Sequence, residues 1–188
     1  MNKTNLRKLL LLKRQNFSNT YIETSSLMIT NKVIEFVSKS QFQEICLFLS
    51  TKYEVQTKLI IDWCWQNNIK VYVPKVLDDH EMVMVRYLAT NHTSLNRFKI
   101  YEPINQQLAD LTTIDCVFTP LVGFDTSLNR IGMGKGFYDR FFSLNNLNNF
   151  NYLKVGLAFN QQLVDHQITT DSYDVKLDLI ITETKIYS

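Results

Sequence analysis

The chain has 188 residues, 45% hydrophobic and 20% charged, the composition of one soluble globular domain with room for a sizeable core. Twenty basic against eighteen acidic side chains leave a formal charge of +2. That balance excludes a dominant nucleic-acid footprint and requires any basic chemistry to be local.

The first predicted element is a leucine-rich helix over 3–14. At about 100° per residue, Lys3, Arg7 and Arg14 project within about 40° of one another. Such a stripe is either a solvated basic face or an anion-binding one. Its apolar run, Leu9 to Leu12, is too short for a signal peptide, and no segment approaches the ~18 apolar residues of a membrane span. A cytoplasmic protein is expected, with no membrane and no nucleic acid among its partners. Ser18 or Asn19 caps a second helix that reaches about Ser38, with Leu27, Ile34 and Val37 on its apolar side.

The run EICLFLS (44–50) reads as a strand buried on both faces, VQTKLIIDWCWQNN (55–68) as an apolar helix and IKVYVP (69–74) as the next strand. This is the pattern of a parallel crossover. Further strands are expected at 82–87, 114–119, 153–158 and 178–182, with a helix at 136–144 and an asparagine-rich loop at 145–151. The expected fold is α/β: a single domain over 1–188 with a mostly parallel sheet flanked by helices. Cys46, Cys64 and Cys116 are widely separated among apolar residues, as reduced core thiols are. His80, His92 and His166 fall in loops with no partner at metal-ligand spacing, and Trp63 and Trp65 read as packing residues.

The chemistry concentrates in NRIGMGKGFYDR (129–140). Four of the five glycines lie between Gly123 and Gly136. The order strand, glycine loop, helix sets them beyond a strand's carboxyl end, where open α/β sheets bind ligands. Glycine lets the backbone approach an anion closely, and Arg130 and Lys135 add charge. The spacing excludes a P-loop, since Phe137 follows Gly136, and it excludes the G-x-G-x-x-G dinucleotide fingerprint. A tight connection without a ligand stays open on spacing alone. Asp139, one turn into the helix, is either a favourable N-terminal charge or an oxygen ligand for magnesium.

The stretch P-L-V-G-F-D-x-x-x-x-R-I-G-M-G-K-G-F-Y-D-R resembles the signature of 5-formyltetrahydrofolate cyclo-ligases, also called methenyltetrahydrofolate synthetases. Lys3-x-x-x-Arg7, YEVQT (53–57), VPKV (73–76), YEP (101–103) and YDVKLDLIITE (173–183) occur in that family's order, so the resemblance spans nearly the whole chain. It departs at Ile131 for Leu and at Phe137 for the first Tyr of a Y-Y-D trio, which removes a hydroxyl. Leu128 and Asn129 stand where a glycine often precedes the arginine, and HQITTDSYD lacks a common leucine–proline.

The resemblance implies an ATP- and magnesium-dependent ligase. Its reaction cyclises 5-formyltetrahydrofolate to 5,10-methenyltetrahydrofolate through a phosphorylated formyl oxygen, releasing ADP and phosphate. It implies ATP contacts from Lys3, Thr4, Asn5, Leu6 and Arg7, and from Arg130, Ile131, Gly132, Met133, Gly134, Lys135, Gly136, Phe137 and Tyr138. Arg130, Lys135 and Tyr138 are the implied catalytic residues. The folate is expected to meet Leu49, Glu54 and the loop from Met133 to Phe137, and Asp139 and Asp174 to hold Mg2+. Glu54 has an alternative as a helix N-cap or first-turn acid, and Asp174 as an exposed turn carboxylate. The expected partners are these two small molecules, with the chain a monomer. A ligand-binding regulator without turnover and a phosphosugar enzyme of related architecture are the alternative functions.

Overall fold

The structure, a computed structural model, describes residues 2–98, 100–104, 107–148 and 150–188. Helix α1 (Lys3–Gln15) starts at Asn2, whose side chain accepts the Asn5 N–H, and carries Lys13 and Arg14 in its last turn. Both ends thus suit the helix's partial charges and unpaired groups. Helix α2 (Asn19–Ser40) is capped by the Ser18 hydroxyl, which accepts the Tyr21 N–H. Its inward face is Ile22, Ile29, Val33 and Val37. Leu27 is 51% exposed, contrary to expectation. Two positions before Ile29, it projects from the opposite side of the helix.

β1 (Glu44–Cys46), α3 (Lys58–Gln66) and β2 (Lys70–Val76) form the expected parallel crossover, and β3 (Met82–Arg86) returns antiparallel beside β2. Next come a hairpin of β4 (Thr93–Leu95) and β5 (Tyr101–Pro103), then β6 (Cys116–Pro120) and a second hairpin of β7 (Gly123–Phe124) and β8 (Arg130–Ile131). The chain closes with α4 (Phe137–Asn148), β9 (Leu153–Leu157), a 3-10 turn at Asn160–Gln162, β10 (Leu179–Ile181) and β11 (Ile186–Tyr187). Helix α4 covers most of the stretch expected as an asparagine-rich loop, since no glycine or proline interrupts it. Asn149, in the same stretch, lies outside the described residues.

The main sheet runs β11-β10-β9-β6-β1-β2-β3, with antiparallel pairing at its two edges and parallel pairing between. Successive residues of a strand face opposite sides. Ile45 and Phe118 accordingly pack in the apolar cluster with Val33 of α2 and Ile60 of α3. Cys46 and Val117 pack on the other side with Phe141 and Phe142 of α4. All three cysteines are buried and unpaired. Among the described residues, no helix is long and apolar enough to cross a membrane.

β1 leads to β2 on one side, whereas its neighbour β6 leads to β9 on the other. The strand order therefore reverses between β1 and β6. The crevice beyond their carboxyl ends is where sheets of this kind take ligands.

Candidate active site

A cavity of about 620 Å³ opens at that switch point. Phe48, Leu49 and Glu54 line it from the segment after β1, and Pro120 and Leu121 from the end of β6. β1 ends at Cys46 rather than Ser50 because the following residues turn to build this wall. Thr57 fixes the turn by donating its hydroxyl hydrogen to the Phe48 carbonyl at 2.6 Å. Thr57 also precedes α3, so Glu54 is neither its cap nor in its first turn. Instead Glu54 accepts the Thr51 N–H at 2.8 Å and stands 3.6 Å from Arg14.

Helix α1 is seated by Leu6 and Leu10, which pack against Val122, Ile131, Val164 and Ile168. That seating turns the basic stripe inward, and Lys3, Arg7 and Arg14 all line the cavity. Each has a protein partner. Lys3 pairs with Asp174, Arg7 Nε donates to the Gly132 carbonyl at 2.9 Å, and Arg14 faces Glu54.

Buried Asp125 shapes the approach to the glycine loop. It accepts the backbone N–H groups of Ser127 (2.9 Å), Asn129 (3.0 Å) and Ile168 (2.7 Å), and the Asn129 side-chain amide (2.9 Å). Within this turn Leu128 has φ +66°, a left-handed conformation that glycine adopts more readily than leucine. Arg130 then leaves β8 with its guanidinium donating to the Val175 carbonyl and to Asp139 Oδ1. Gly134 and Gly136 have φ +94° and +69°. A side chain at Gly134 would also begin 3.3 Å from the Arg7 guanidinium.

Most of the expected contact residues meet in this one cavity: Lys3, Thr4 and Arg7, then Leu49 and Glu54, then Arg130 and the run Gly132 to Asp139, with Asp174. Asn5, Leu6 and Ile131 do not line it. Leu6 and Ile131 face the apolar cluster that seats α1, and Asn5 is exposed. Tyr138 lines the cavity with its hydroxyl buried beside that of Thr119. Burial pushes the Tyr138 phenol well above its ordinary pKa, so it stays protonated rather than acting as an ionised base.

Asp139 accepts from Arg130 at 2.7 Å and from the Val175 N–H at 3.1 Å, both on Oδ1. Asp174 takes Lys3 and the Asp171 N–H on Oδ2. Among the described residues no cluster of three or more His, Cys, Asp or Glu side chains has a metal-binding arrangement. The other oxygen of each carboxylate has no hydrogen-bond partner there. Two such carboxylates suit Mg2+, which is commonly held by one or two of them together with substrate phosphates.

Several wall residues escaped the sequence reading. The β4–β5 hairpin contributes Phe98, Ile100, Tyr101 and Glu102, and Pro74 and Val76 come from β2. Tyr101, Glu102, Pro74 and Val76 fall in the YEP and VPKV segments of the resemblance, whereas Phe98 and Ile100 carry no signal in the sequence. Phe98 also accounts for Phe137: the two rings meet edge to face at 5.8 Å, and Lys135 Nζ lies 5.5 Å from the Phe98 centroid. An apolar ring at position 137 packs there without needing a hydroxyl. His80, His92 and His166 are exposed, His166 against Asp165. Trp65 packs on the core and donates to the Tyr87 carbonyl at 3.0 Å, and Trp63 also packs on the core.

A model of the 5-formyltetrahydrofolate cyclo-ligase family matches residues 1–183. The chain is 34% identical over 184 residues to the 5-formyltetrahydrofolate cyclo-ligase of Haemophilus influenzae, covering 95% of both proteins. It is 35% identical over 187 residues to that of Mycoplasma pneumoniae, covering 97% of this chain and 99% of the relative. The solved structure of a Mycoplasma pneumoniae 5,10-methenyltetrahydrofolate synthetase matches with a TM-score of 0.79 at 29% identity, over 97% of this chain and 99% of that one. For the Aquifex aeolicus synthetase the TM-score is 0.83 at 26% identity, over 99% and 92%. Motif order, fold and chain-long similarity agree, and the chain belongs to the 5-formyltetrahydrofolate cyclo-ligase family.

Proposed function

We propose that the chain catalyses the ATP- and Mg2+-dependent cyclisation of 5-formyltetrahydrofolate to 5,10-methenyltetrahydrofolate, with release of ADP and phosphate. The observation that carries this reading is the convergence of the α1 basic stripe, the glycine loop and Glu54 on one cavity.

The formyl carbon resists attack because its oxygen is a poor leaving group. In the proposed route the formyl oxygen forms a bond to the γ-phosphorus of ATP as the bond to ADP breaks. The N10 nitrogen then attacks the activated carbon, the C–O bond breaks, phosphate departs and N10 loses its proton. Phosphoryl transfer depends mainly on positioning and charge stabilisation. Lys3, Arg7, Arg130 and Lys135 supply the cations, and the N–H groups of the glycine loop supply close backbone donors. Leu49 and Glu54 hold the pterin, with the carboxylate accepting from its amino and ring N–H groups. Asp139 and Asp174 would hold the metal, and the chemistry a bound Mg2+ supplies is neutralisation of charge on the phosphate oxygens.

The same reading includes a cytoplasmic monomer whose partners are the two small molecules. Buried, unpaired cysteines suit a reducing compartment. The test is methenyltetrahydrofolate absorbance after mixing the purified protein with 5-formyltetrahydrofolate, with and without ATP and Mg2+. A rise that requires both is expected, and no rise in the complete mixture overturns the proposal.

A further inference from the structure

Arg14 is the one cation of the α1 stripe that the phosphate chemistry does not use. It is 5% exposed yet lines the cavity. One terminal nitrogen, Nη1, donates to the Leu121 carbonyl at 3.3 Å and stands 3.6 Å from Glu54 Oε1. The other, Nη2, meets the Met133 thioether at 3.6 Å, and Nε has no partner among the described residues. A thioether is a weak acceptor, and Met133 is 59% exposed on the glycine loop. A buried guanidinium so poorly matched is costly unless a better acceptor reaches it.

We propose that Arg14 and Glu54 read the pterin ring as a pair, Arg14 Nη2 donating to the 4-oxo oxygen while Glu54 accepts from the 2-amino and N3–H groups. This rests on the proposed function and adds a specificity-determining residue to it. Along one edge a pterin presents donor, donor, acceptor. A carboxylate beside a guanidinium presents the complementary acceptor and donor. The 4-oxo oxygen replaces the Met133 sulfur at Nη2, and Met133 is free to move because it is exposed.

The test compares binding of 5-formyltetrahydrofolate and its 4-amino counterpart, in which a donor replaces the acceptor that faces Arg14 and N3 loses the hydrogen that Glu54 accepts, so Arg14's share of the preference is read from the Arg14 variants. Titrations use the wild-type protein, Arg14→Met and Arg14→Lys, with ATP affinity and urea midpoints measured in parallel. A site built to hydrogen-bond one group strongly rejects an analogue without it, so wild type should prefer the 4-oxo compound. The preference should fall about tenfold or more in Arg14→Met, with ATP affinity unchanged. Arg14→Lys keeps a charge beside Glu54 but loses the planar fork, so its preference should fall as well; it serves as the test if Arg14→Met does not fold. A merely structural role would weaken both pteridines equally. An unchanged preference in the folded variants, or no preference in wild type, overturns the proposal. If wild type forms product but the preference ignores Arg14, only this assignment fails. If wild type binds neither pteridine, the proposed function fails and takes this inference with it.

Discussion

Arg130 and Asp139 hold each other, with Nη2 donating to Oδ1 at 2.7 Å and the two side chains only 5% and 22% exposed. The residue expected to clamp phosphate and the one expected to bind metal are thus joined across β8 and the first turn of α4. The guanidinium also lies over the Phe142 ring. Removing one member of a well-buried pair leaves an uncompensated charge, a loss of roughly 3–5 kcal/mol, and the partial exposure of Asp139 places this pair at the lower end. Arg130→Ala and Asp139→Ala should each lower the urea midpoint, while the double variant loses less than the sum. The cycle should give a coupling of about 1–3 kcal/mol. Additive losses would show that Val175 and Phe142 alone keep Arg130 in place.

Lys135 separates catalysis from stability. Its side chain is exposed and its charge rests near the Phe98 ring, a contact worth about 0.5–1 kcal/mol at such sites. Lys135→Ala should therefore scarcely change the melting temperature. Turnover should fall about 100-fold or more, as when a preorganised donor to transition-state charge is lost. Wild-type kcat in this variant would remove Lys135 from the phosphate site.

Glu54→Gln addresses the other half of the cavity. A hydrogen bond to a charged acceptor contributes about 1.5–3 kcal/mol, so the folate KM should rise about tenfold or more while the ATP KM holds. Parallel increases in both constants would contradict a pterin-specific role for this carboxylate.

What could be read from the sequence was what is encoded locally. The β1–α3–β2 crossover appeared because its apolar runs and the length of the intervening helix are properties of consecutive residues. The stripe of Lys3, Arg7 and Arg14 followed from helix geometry, and the glycine loop from composition. β4, β5, β7, β8 and β11 did not appear, because strands of two or three residues are too short to show an alternation, whereas the equally short β1 and β10 lie in longer apolar runs. Nor did the pairing of Arg14 with Glu54, which needs the end of α1 and the segment after β1 brought together in space. Leu27 lies on a second apolar side of α2, and only packing against the sheet chooses which side is buried.

Gly134 offers a test of the loop's shape. Its φ of +94° strains any residue with a Cβ, and that atom would press on the Arg7 guanidinium. The intrinsic penalty for leaving the ordinary backbone regions is roughly 1–3 kcal/mol, and the loop lies on the surface. Gly134→Ala should therefore reduce turnover and ATP affinity far more than it lowers the melting temperature. A variant with full activity would show that the loop and Arg7 need not keep this arrangement.

At the opposite end of the sheet, Glu44 of β1 gives a pH-dependent term unrelated to the cavity. It accepts from Lys70, from the Tyr72 hydroxyl at 2.8 Å and from the Thr113 hydroxyl at 2.9 Å. Burial opposes its charge, but the hydrogen bonds led by Lys70 outweigh that, and the carboxyl lies below its ordinary value of 4.5. The folded state then binds the proton more weakly than the unfolded chain. The stabilisation is complete above the ordinary value and is lost as pH falls through the folded one. The melting temperature should therefore drop between about pH 5 and pH 3 in wild type. Glu44→Gln should start lower at pH 7 and decline less steeply over the same range. Identical slopes would mean that other carboxylates carry the acid sensitivity and that this network adds nothing to it.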